Sequence, residues 1–252
     1  MPSTPTPLPT FTPSAPRALL GIWNGIETAR TAEYDRWHAL EHVPERVWVD
    51  GFLAASRYIA LAGTTPRYFT LYELDRLDCL TSPAYKDLVD SPSPWSASMR
   101  PSFSNFLRQT YTVDASCGTV AGVGLLLVRA RWNPTAPGAP TPAQLKTLAT
   151  HLLQQGAKAC ASSVTIGTGE AAGPQALANV DAAPAGQEHV FALQTARLED
   201  LPLLGRVFTD TAADLLASSI WHVEASYQFS SRVLHSDVAQ PVRPAPRLDL
   251  MP

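Results

Sequence analysis

The stretch FLAASRYIALAGTTPRYFTLYEL, residues 52–74, contains two apolar segments that a turn with Gly63 and Pro66 separates. In the segment 67–74, Tyr68, Thr70 and Tyr72 alternate with Phe69, Leu71 and Glu73. Successive side chains of a β-strand point to opposite faces, so this alternation is typical of a strand inside a sheet. The segment 52–61 has the same character, and the stretch predicts two consecutive strands.

The residues on either side complete a βαββαβ unit. Residues 18–25, ALLGIWNG, form a short apolar run before the pair, and residues 107–115 form one after it, so both predict strands. Residues 31–43 have helical spacing, and Pro83 near the start of 82–89 favours a second helix.

The second half of the chain repeats this pattern. Phe69 and Leu71 match Phe191 and Leu193 in the corresponding strand. The strands predicted in this half cover 122–131, 161–166, 189–198 and 223–234, and the helices cover 142–155 and 201–217. A single βαββαβ unit leaves one apolar sheet face uncovered. We therefore predict an α+β protein in which two antiparallel sheets cover each other and close a barrel-like core.

Proline marks the ends of the chain. Residues 1–16 and 236–252 are rich in proline and lack apolar periodicity, which predicts a disordered N-terminal arm and an extended C-terminal tail. Between them we place one repeat at 17–116 and the other at 120–235. Residues 132–142 and 167–187 are predicted loops, the second with weak helical character.

Composition limits the class of protein. The 252 residues are 45% hydrophobic and 16% charged, with a formal net charge of −3. Such a small charge of mixed sign predicts no nucleic-acid partner, and no apolar run is long enough to predict a membrane span. The three cysteines are scattered, which is typical of a reducing compartment, so we expect a soluble cytoplasmic protein.

Five segments carry a resemblance to a known family: WHALEHVPERV (37–47), GFLAASRYIA (51–60), PRYFTLYEL (66–74), SPAYKDLV (82–89) and PSPWSASM (92–99). Together they resemble bacterial members of the dimeric α/β-barrel superfamily, nearest to its EthD-like branch. The resemblance implies tandem ferredoxin-like repeats packed as an intramolecular dimeric α/β barrel. That superfamily includes cofactor-free monooxygenases, isomerases, cyclases and haem enzymes, so the resemblance specifies the fold more than the reaction.

The densest group of reactive side chains lies in the first helix. His38 and His42 are one helical turn apart, and Glu45 is close enough to join them. Pro44 predicts that the helix kinks or ends near His42, where the helix dipole would favour a charged imidazole. We predict His42, His38 and Glu45 as catalytic residues for proton transfer. The alternative is an exposed charged flank of an amphipathic helix.

Other residues are predicted to bind the substrate. A strand arginine in apolar surroundings, Arg57, needs a carboxylate, either Glu73 or a bound acid. Tyr58 or Tyr72 is expected to orient that acid. The remaining predicted binding residues are aromatic, polar or charged side chains near the first helix and the first strand: Trp23, Asn24, Trp37, Glu41, Arg46 and Trp95.

The sequence leaves three functions open. We predict a cofactor-independent isomerase, lyase or cyclase for a small aromatic or carbonyl-containing acid. One alternative is a non-catalytic ligand-binding or assembly module, and the other is a metal- or haem-dependent enzyme. His38, Glu41 and His42 match the H-x-x-E-H zinc pattern, but the chain offers no recognisable third ligand, so no metal is predicted. The expected partner is a small-molecule substrate, and a homodimer is left open.

Overall fold

The computed structural model describes residues 15–133, 138–170 and 186–252. The strands are β1 (Ala18–Ile26), β2 (Phe52–Ala60), β3 (Tyr68–Leu74), β4 (Phe103–Gly118), β5 (Gly124–Trp132), β6 (Ala161–Gly169), β7 (Gln187–Thr195) and β8 (Trp221–Leu234). The α-helices are α1 (Thr31–Trp37), α2 (Val43–Val47), α3 (Pro83–Asp90), α4 (Pro94–Met99), α5 (Pro142–Gln155), α6 (Leu201–Thr211), α7 (Ala213–Leu216) and α8 (His235–Val238). The predicted arm 1–16 lies outside the described residues except at its last two positions.

All eight strands form one closed antiparallel barrel in the order β1-β3-β2-β8-β5-β7-β6-β4. Each half has its four strands in the order fourth, first, third, second, as expected for a βαββαβ unit. The two units join where β2 pairs with β8 and where β4 pairs with β6. The predicted fold, two such units closed into one barrel, is confirmed.

Side-chain alternation along the strands separates the barrel interior from the layer beneath the helices. On β1, Leu19 and Trp23 belong to a cluster that includes residues of both halves, such as Leu125 and Tyr227. Leu20 belongs to a separate cluster with helical residues. Gly21 shares the interior face, where an added Cβ would lie 2.7 Å from the Trp23 ring. The first strand thus contributes one face to the barrel core and the other to the space under the first helix.

The second half fills the space between its sheet and its helices with apolar side chains. Trp132, Phe191 and Phe208 are fully buried there, together with leucines of α5 and α6. The layer between the sheet and the helices of the second half is therefore a closely packed apolar core. The residues predicted as the loop 167–187 begin as strand, since β6 extends to Gly169, and 171–185 lie outside the described residues.

The first helical segment does not end at His42. A π-helical turn, His38–His42, connects α1 to α2, and the helix continues to Val47. Pro44 has no N–H and its ring crowds the carbonyl four residues earlier, and the wider turn accommodates both effects. The predicted disturbance by Pro44 is present, but it widens the helix instead of ending it.

The C-terminal segment after α8 runs over the first helical segment. The Trp48 indole N–H donates to the Gln240 carbonyl at 2.9 Å, and the Arg243 guanidinium contacts Glu45. Leu250 and Met251 pack against the aromatic cluster of Tyr34 and Trp37. Most of the segment has no regular structure, but it contacts the domain along its length. In the ranges that the structure describes, no helix is long and apolar enough to cross a membrane.

Candidate active site

A cavity of about 90 Å³ lies in the first half, between the first helical segment and the sheet. Its wall combines aromatic, apolar and basic side chains from several elements. It is lined by Leu20, Ile22, Asn24, Tyr34, Trp37, His38, His42, Arg46, Phe52, Tyr72, Tyr85, Val89, Ser96, Arg100, Phe103, Phe106 and Arg108. None of these lining residues is an aspartate or a glutamate.

Strand alternation explains which sheet residues reach the cavity. Leu20, Ile22 and Asn24 are every second residue of β1, on the face opposite Trp23. Phe106 and Arg108 are likewise two residues apart on one face of β4, and Arg108 lies opposite Ile22 in the pairing of β1 with β4. The floor of the cavity is therefore the helix-facing side of the first repeat's sheet.

The two histidines come from the π-helical turn. Their ring centroids are 5.5 Å apart, and the His42 ring packs on Trp37 at 4.4 Å while His38 stacks on Tyr34 at 5.0 Å. Both Nδ1 atoms are buried and have no hydrogen-bond partner among the described residues. His38 is almost completely buried, whereas His42 keeps some accessible surface, and both line the cavity. The pair is held in place by aromatic packing and not by a carboxylate.

Burial and nearby cations keep both imidazoles neutral. Desolvation, followed by the positive charges of Arg46 and Arg100, lowers the pKa of His42 well below its usual range. Desolvation and the charge of Arg57 do the same to the pKa of His38. The sequence predicted a charged form of His42 stabilised at a helix C-terminus, and this prediction is wrong because the helix continues and the ring is buried.

Three arginines give the cavity its positive charge. Arg46 donates to the Leu88 carbonyl at 3.4 Å and lies over the Tyr85 ring, and its Nη1 has no partner. Arg100 donates to the Val89 carbonyl at 2.9 Å, and burial together with the charge of Arg46 lowers the pKa of Arg100. Arg108 is 8% exposed, and its Nε and Nη2 have no partner among the described residues. Such a concentration of buried positive charge favours an anionic ligand.

Hydrogen bonds fix the wall. The Trp37 indole N–H donates to Ser96 Oγ at 3.1 Å, and the Tyr34 hydroxyl donates to Asn24 Oδ1 at 3.1 Å. Ser96 is positioned because Ser93 caps the N-terminus of α4, where its hydroxyl oxygen accepts a hydrogen bond from the Ser96 backbone N–H. These contacts connect the helix to β1 and α4.

The structure brings six predicted site residues to the cavity: Asn24, Trp37, His38, His42, Arg46 and Tyr72. Glu45 and Glu41 are not in its wall. Glu45 forms an ion pair with Arg243, and Glu41 accepts hydrogen bonds from Ser93 and from the Arg247 backbone N–H. These two carboxylates attach the C-terminal segment and α4 to the helix, and they do not form hydrogen bonds to the histidines.

Four further predicted residues lie elsewhere. Trp23 and Tyr58 point into the barrel, because they alternate with the helix-facing positions of their strands. Trp95 packs under α1 and donates to Glu33 at 3.0 Å. Arg57 lies 3.4 Å from Asp35, while Glu73, one of its two predicted partners, pairs with Arg232 instead. In the structure Arg57 therefore has a protein partner and does not line the cavity.

Sequence reasoning missed several lining residues, notably Tyr34, Ser96, Arg100 and Arg108. Arg108 carried a usable signal, since it is a basic residue in a strand and is two positions from Phe106. Arg100 and Ser96 carried no such signal because the short helix α4 and the turn after it position them. Within the described ranges, no group of three or more His, Cys, Asp or Glu side chains is arranged to hold a metal ion.

Burial of neutral His42 makes stability depend on pH. An unfolded histidine takes up a proton as pH falls through about 6.5, whereas folded His42 does not, so the free energy of unfolding decreases below that pH. The loss is about 1.4 kcal/mol per pH unit for one such group. Urea unfolding at several pH values should therefore give a shallower pH dependence for His42→Gln than for the unmodified protein. His151→Gln, at an exposed position on α5, is the control, and equal slopes for all three proteins would contradict the prediction.

Comparison with known proteins supports the fold. No family model and no curated protein matches the chain. An anthrone oxidase-like protein is 6% identical, with a TM-score of 0.62 over 89% of this chain and 95% of that one. A provisionally assigned monooxygenase from Fusobacterium nucleatum is 11% identical, with a TM-score of 0.55 over 87% and 95% of the two chains. A heme-binding protein from Thermus thermophilus is 12% identical, with a TM-score of 0.50 over 86% and 92%.

At these identities the likeness concerns the fold alone, and the EthD-like branch stays a prediction. The closed eight-stranded barrel and its paired βαββαβ halves agree with these structures over most of their length. The chain therefore has the dimeric α/β-barrel fold, with both halves of the barrel supplied by one polypeptide.

Proposed function

We propose that this protein is an enzyme that binds a small aromatic or carbonyl-containing acid in the cavity and removes a proton from it with His42. One observation carries the proposal: two histidines whose buried Nδ1 atoms have no hydrogen-bond partner among the described residues share an aromatic cavity with three arginines and no lining carboxylate. Their lowered pKa values favour the neutral form. Neutral imidazole accepts protons, and guanidinium groups stabilise the anion that remains. His38 is proposed as the second imidazole of the pair.

Substrate binding itself prepares the proton transfer. Desolvation is the largest cause of the lowered pKa of His42, and the positive charges of Arg46 and Arg100 lower it further. A bound anion offsets the part of this lowering that comes from the two arginines, and to that extent it favours proton transfer to the imidazole. As the proton leaves a carbon next to a carbonyl, negative charge moves to the carbonyl oxygen, where the arginines stabilise it. His42 then holds the proton, and no cofactor is required for this step.

The fate of the carbanion determines the reaction type. Return of the proton at another atom, loss of a leaving group or ring closure would give the isomerase, lyase or cyclase predicted from the sequence. Reaction with dioxygen is the other outcome, in keeping with the names of the anthrone oxidase-like and monooxygenase neighbours. The shared first step can be measured without knowing which outcome applies.

Deuterium exchange tests that first step. The protein is incubated in D2O with acids that carry an acidic C–H bond next to a carbonyl, and deuterium incorporation is followed by NMR. We expect exchange into at least one compound faster than in buffer, and an oxygen electrode shows whether dioxygen is consumed. Binding without exchange or turnover would favour the non-catalytic alternative. The visible spectrum and metal content of the same sample test the metal- or haem-dependent alternative.

A further inference from the structure

We infer that Arg108 anchors the carboxylate of the ligand, so that the compounds this cavity selects are carboxylic acids and not neutral or merely phenolic aromatics. The inference rests on the proposed function because it names the substrate class of the same cavity. Arg108 was not among the residues that the sequence indicated, and it stands opposite the helix that carries the histidines, on the outer face of β4.

The unpartnered atoms of Arg108 define the shape of the expected anion. Nε and Nη2 are both without a partner, and in a guanidinium group these two nitrogens donate from the same edge. Two parallel N–H donors on one edge match the two oxygens of a carboxylate and form the bidentate pair typical of arginine. A single phenolate oxygen satisfies only one of the two donors well.

Protein carboxylates near the first helix are engaged elsewhere. Asp35 pairs with Arg57 and Glu33 pairs with Arg30, while Glu45 pairs with Arg243. Glu41 accepts from Ser93 and from a backbone N–H. Within the described part of the chain, the free edge of Arg108 therefore has no protein carboxylate, and a buried guanidinium edge left unpaired is unfavourable. A ligand carboxylate removes that penalty.

The other lining residues fit the remainder of such a ligand. Both free nitrogens of Arg108 are enclosed, so a ligand reaches them only if a neighbouring side chain moves. Phe106, two residues away on the same face of β4, is half-buried and is the candidate for that movement. The aromatic and apolar lining residues provide contacts for a ring or a short chain. Arg46 and Arg100 remain available on the helical side for the charge that develops during proton transfer.

Binding of benzoate and of benzamide tests the inference, since the two differ in charge and not in outline. Isothermal titration of the full chain should show benzoate binding at least about 10-fold more tightly than benzamide or phenol. Arg108→Lys keeps the positive charge but loses the two parallel N–H donors of the guanidinium. We expect this variant to bind benzoate about 10- to 100-fold more weakly. Arg197→Lys, at an exposed ion pair of the second half, should leave binding unchanged.

Two results would overturn the inference: equal affinity of the unmodified protein for benzoate and benzamide, or unchanged benzoate affinity in a folded Arg108→Lys. The first needs no variant, so a failure of Arg108→Lys to fold does not remove the test. Deuterium exchange separates this inference from the proposed function. Exchange that depends on His42, without preference for a carboxylate, would remove only the Arg108 assignment. Carboxylate preference that depends on Arg108, without exchange or turnover, would remove only the proposed enzyme.

Discussion

Replacing His42 with glutamine is expected to lower the rate of catalysed proton exchange by about 10²- to 10⁴-fold, the usual contribution of a positioned acid–base group. Glutamine keeps a polar side chain of similar reach but does not accept a proton at neutral pH. The Arg108 edge is untouched by this change, so benzoate binding should be retained. Loss of exchange with retained binding is the pattern that separates a proton acceptor from a residue that only shapes the cavity.

Matched variants and pH make this experiment decisive. His151→Gln, exposed on α5, should exchange at the unmodified rate. Because burial and Arg46 lower the pKa of His42 well below 6.5, the neutral form persists as the free protein is acidified to that point. We therefore expect the apparent second-order rate constant for exchange to show no loss from imidazole protonation between pH 8 and pH 6.5 and to fall only at lower pH. A folded His42→Gln protein with full exchange activity would contradict the assignment.

His38→Gln separates the two members of the pair. His38 is 4% exposed and stacks on Tyr34, while His42 retains accessible surface at the cavity. We propose His42 as the residue that meets substrate and His38 as its neighbour. Desolvation and the charge of Arg57 are the larger causes of the lowered pKa of His38, and the proximity of His42 also disfavours its protonation. If the more buried ring were the acceptor, His38→Gln would show the larger loss.

The fold was predictable from sequence because it depends on periodicity. Alternation in RYFTLYEL and its counterpart around Phe191 identifies strands, and repetition of the pattern identifies two units. The exposed sheet face of one unit requires a partner, which the other unit supplies through the β2–β8 and β4–β6 pairings. Hydrophobic burial thus determined the architecture, and the spacing of apolar residues in the sequence shows which faces of the strands are buried.

The site was only partly predictable because it depends on contacts between distant segments. His38 and His42 were identified by helical spacing, but their neutral state follows from burial, which spacing does not report. Glu45 was expected beside His42, and the structure instead directs it to Arg243, 198 residues later. Arg57 was expected to bind Glu73 or a ligand, but in the structure it pairs with Asp35 of α1. Each difference comes from a tertiary partner that local sequence does not specify.

Truncating Arg243 to alanine is expected to destabilise the fold by up to about 3 kcal/mol, below the effect of breaking a fully buried ion pair because Glu45 is buried but Arg243 is partly exposed. The Glu45 side chain is 4% exposed, and Arg243 Nε donates to its Oε1 at 2.9 Å. The other carboxylate oxygen is buried and has no hydrogen-bond partner in the described chain, so loss of the guanidinium leaves the buried carboxylate without its ion-pair partner. Urea unfolding at pH 7 measures the change.

Two variants distinguish loss of the Arg243–Glu45 ion pair from loss of packing by the C-terminal segment. Arg247→Ala removes a side chain whose partner, Asp249, is exposed, and its backbone N–H still donates to Glu41, so the loss of stability should be much smaller than in Arg243→Ala. Adding Glu45→Gln to Arg243→Ala removes the buried charge and should recover most of the stability. A loss as large in the double variant as in Arg243→Ala would show that packing of the tail, and not charge, is responsible.

The same ion pair affects the cavity. Desolvation and the charge of Arg46 lower the pKa of Arg100, and the Glu45 carboxylate partly offsets this lowering, so its charge acts on one arginine of the wall. With Arg243 removed, Glu45 loses its ion partner and its charge is offset less, so it opposes an incoming anion more strongly. Benzoate affinity should therefore fall in Arg243→Ala and return in the double variant with Glu45→Gln. Affinity that stays constant across the three proteins would mean that the tail stabilises the helix without influencing the ligand.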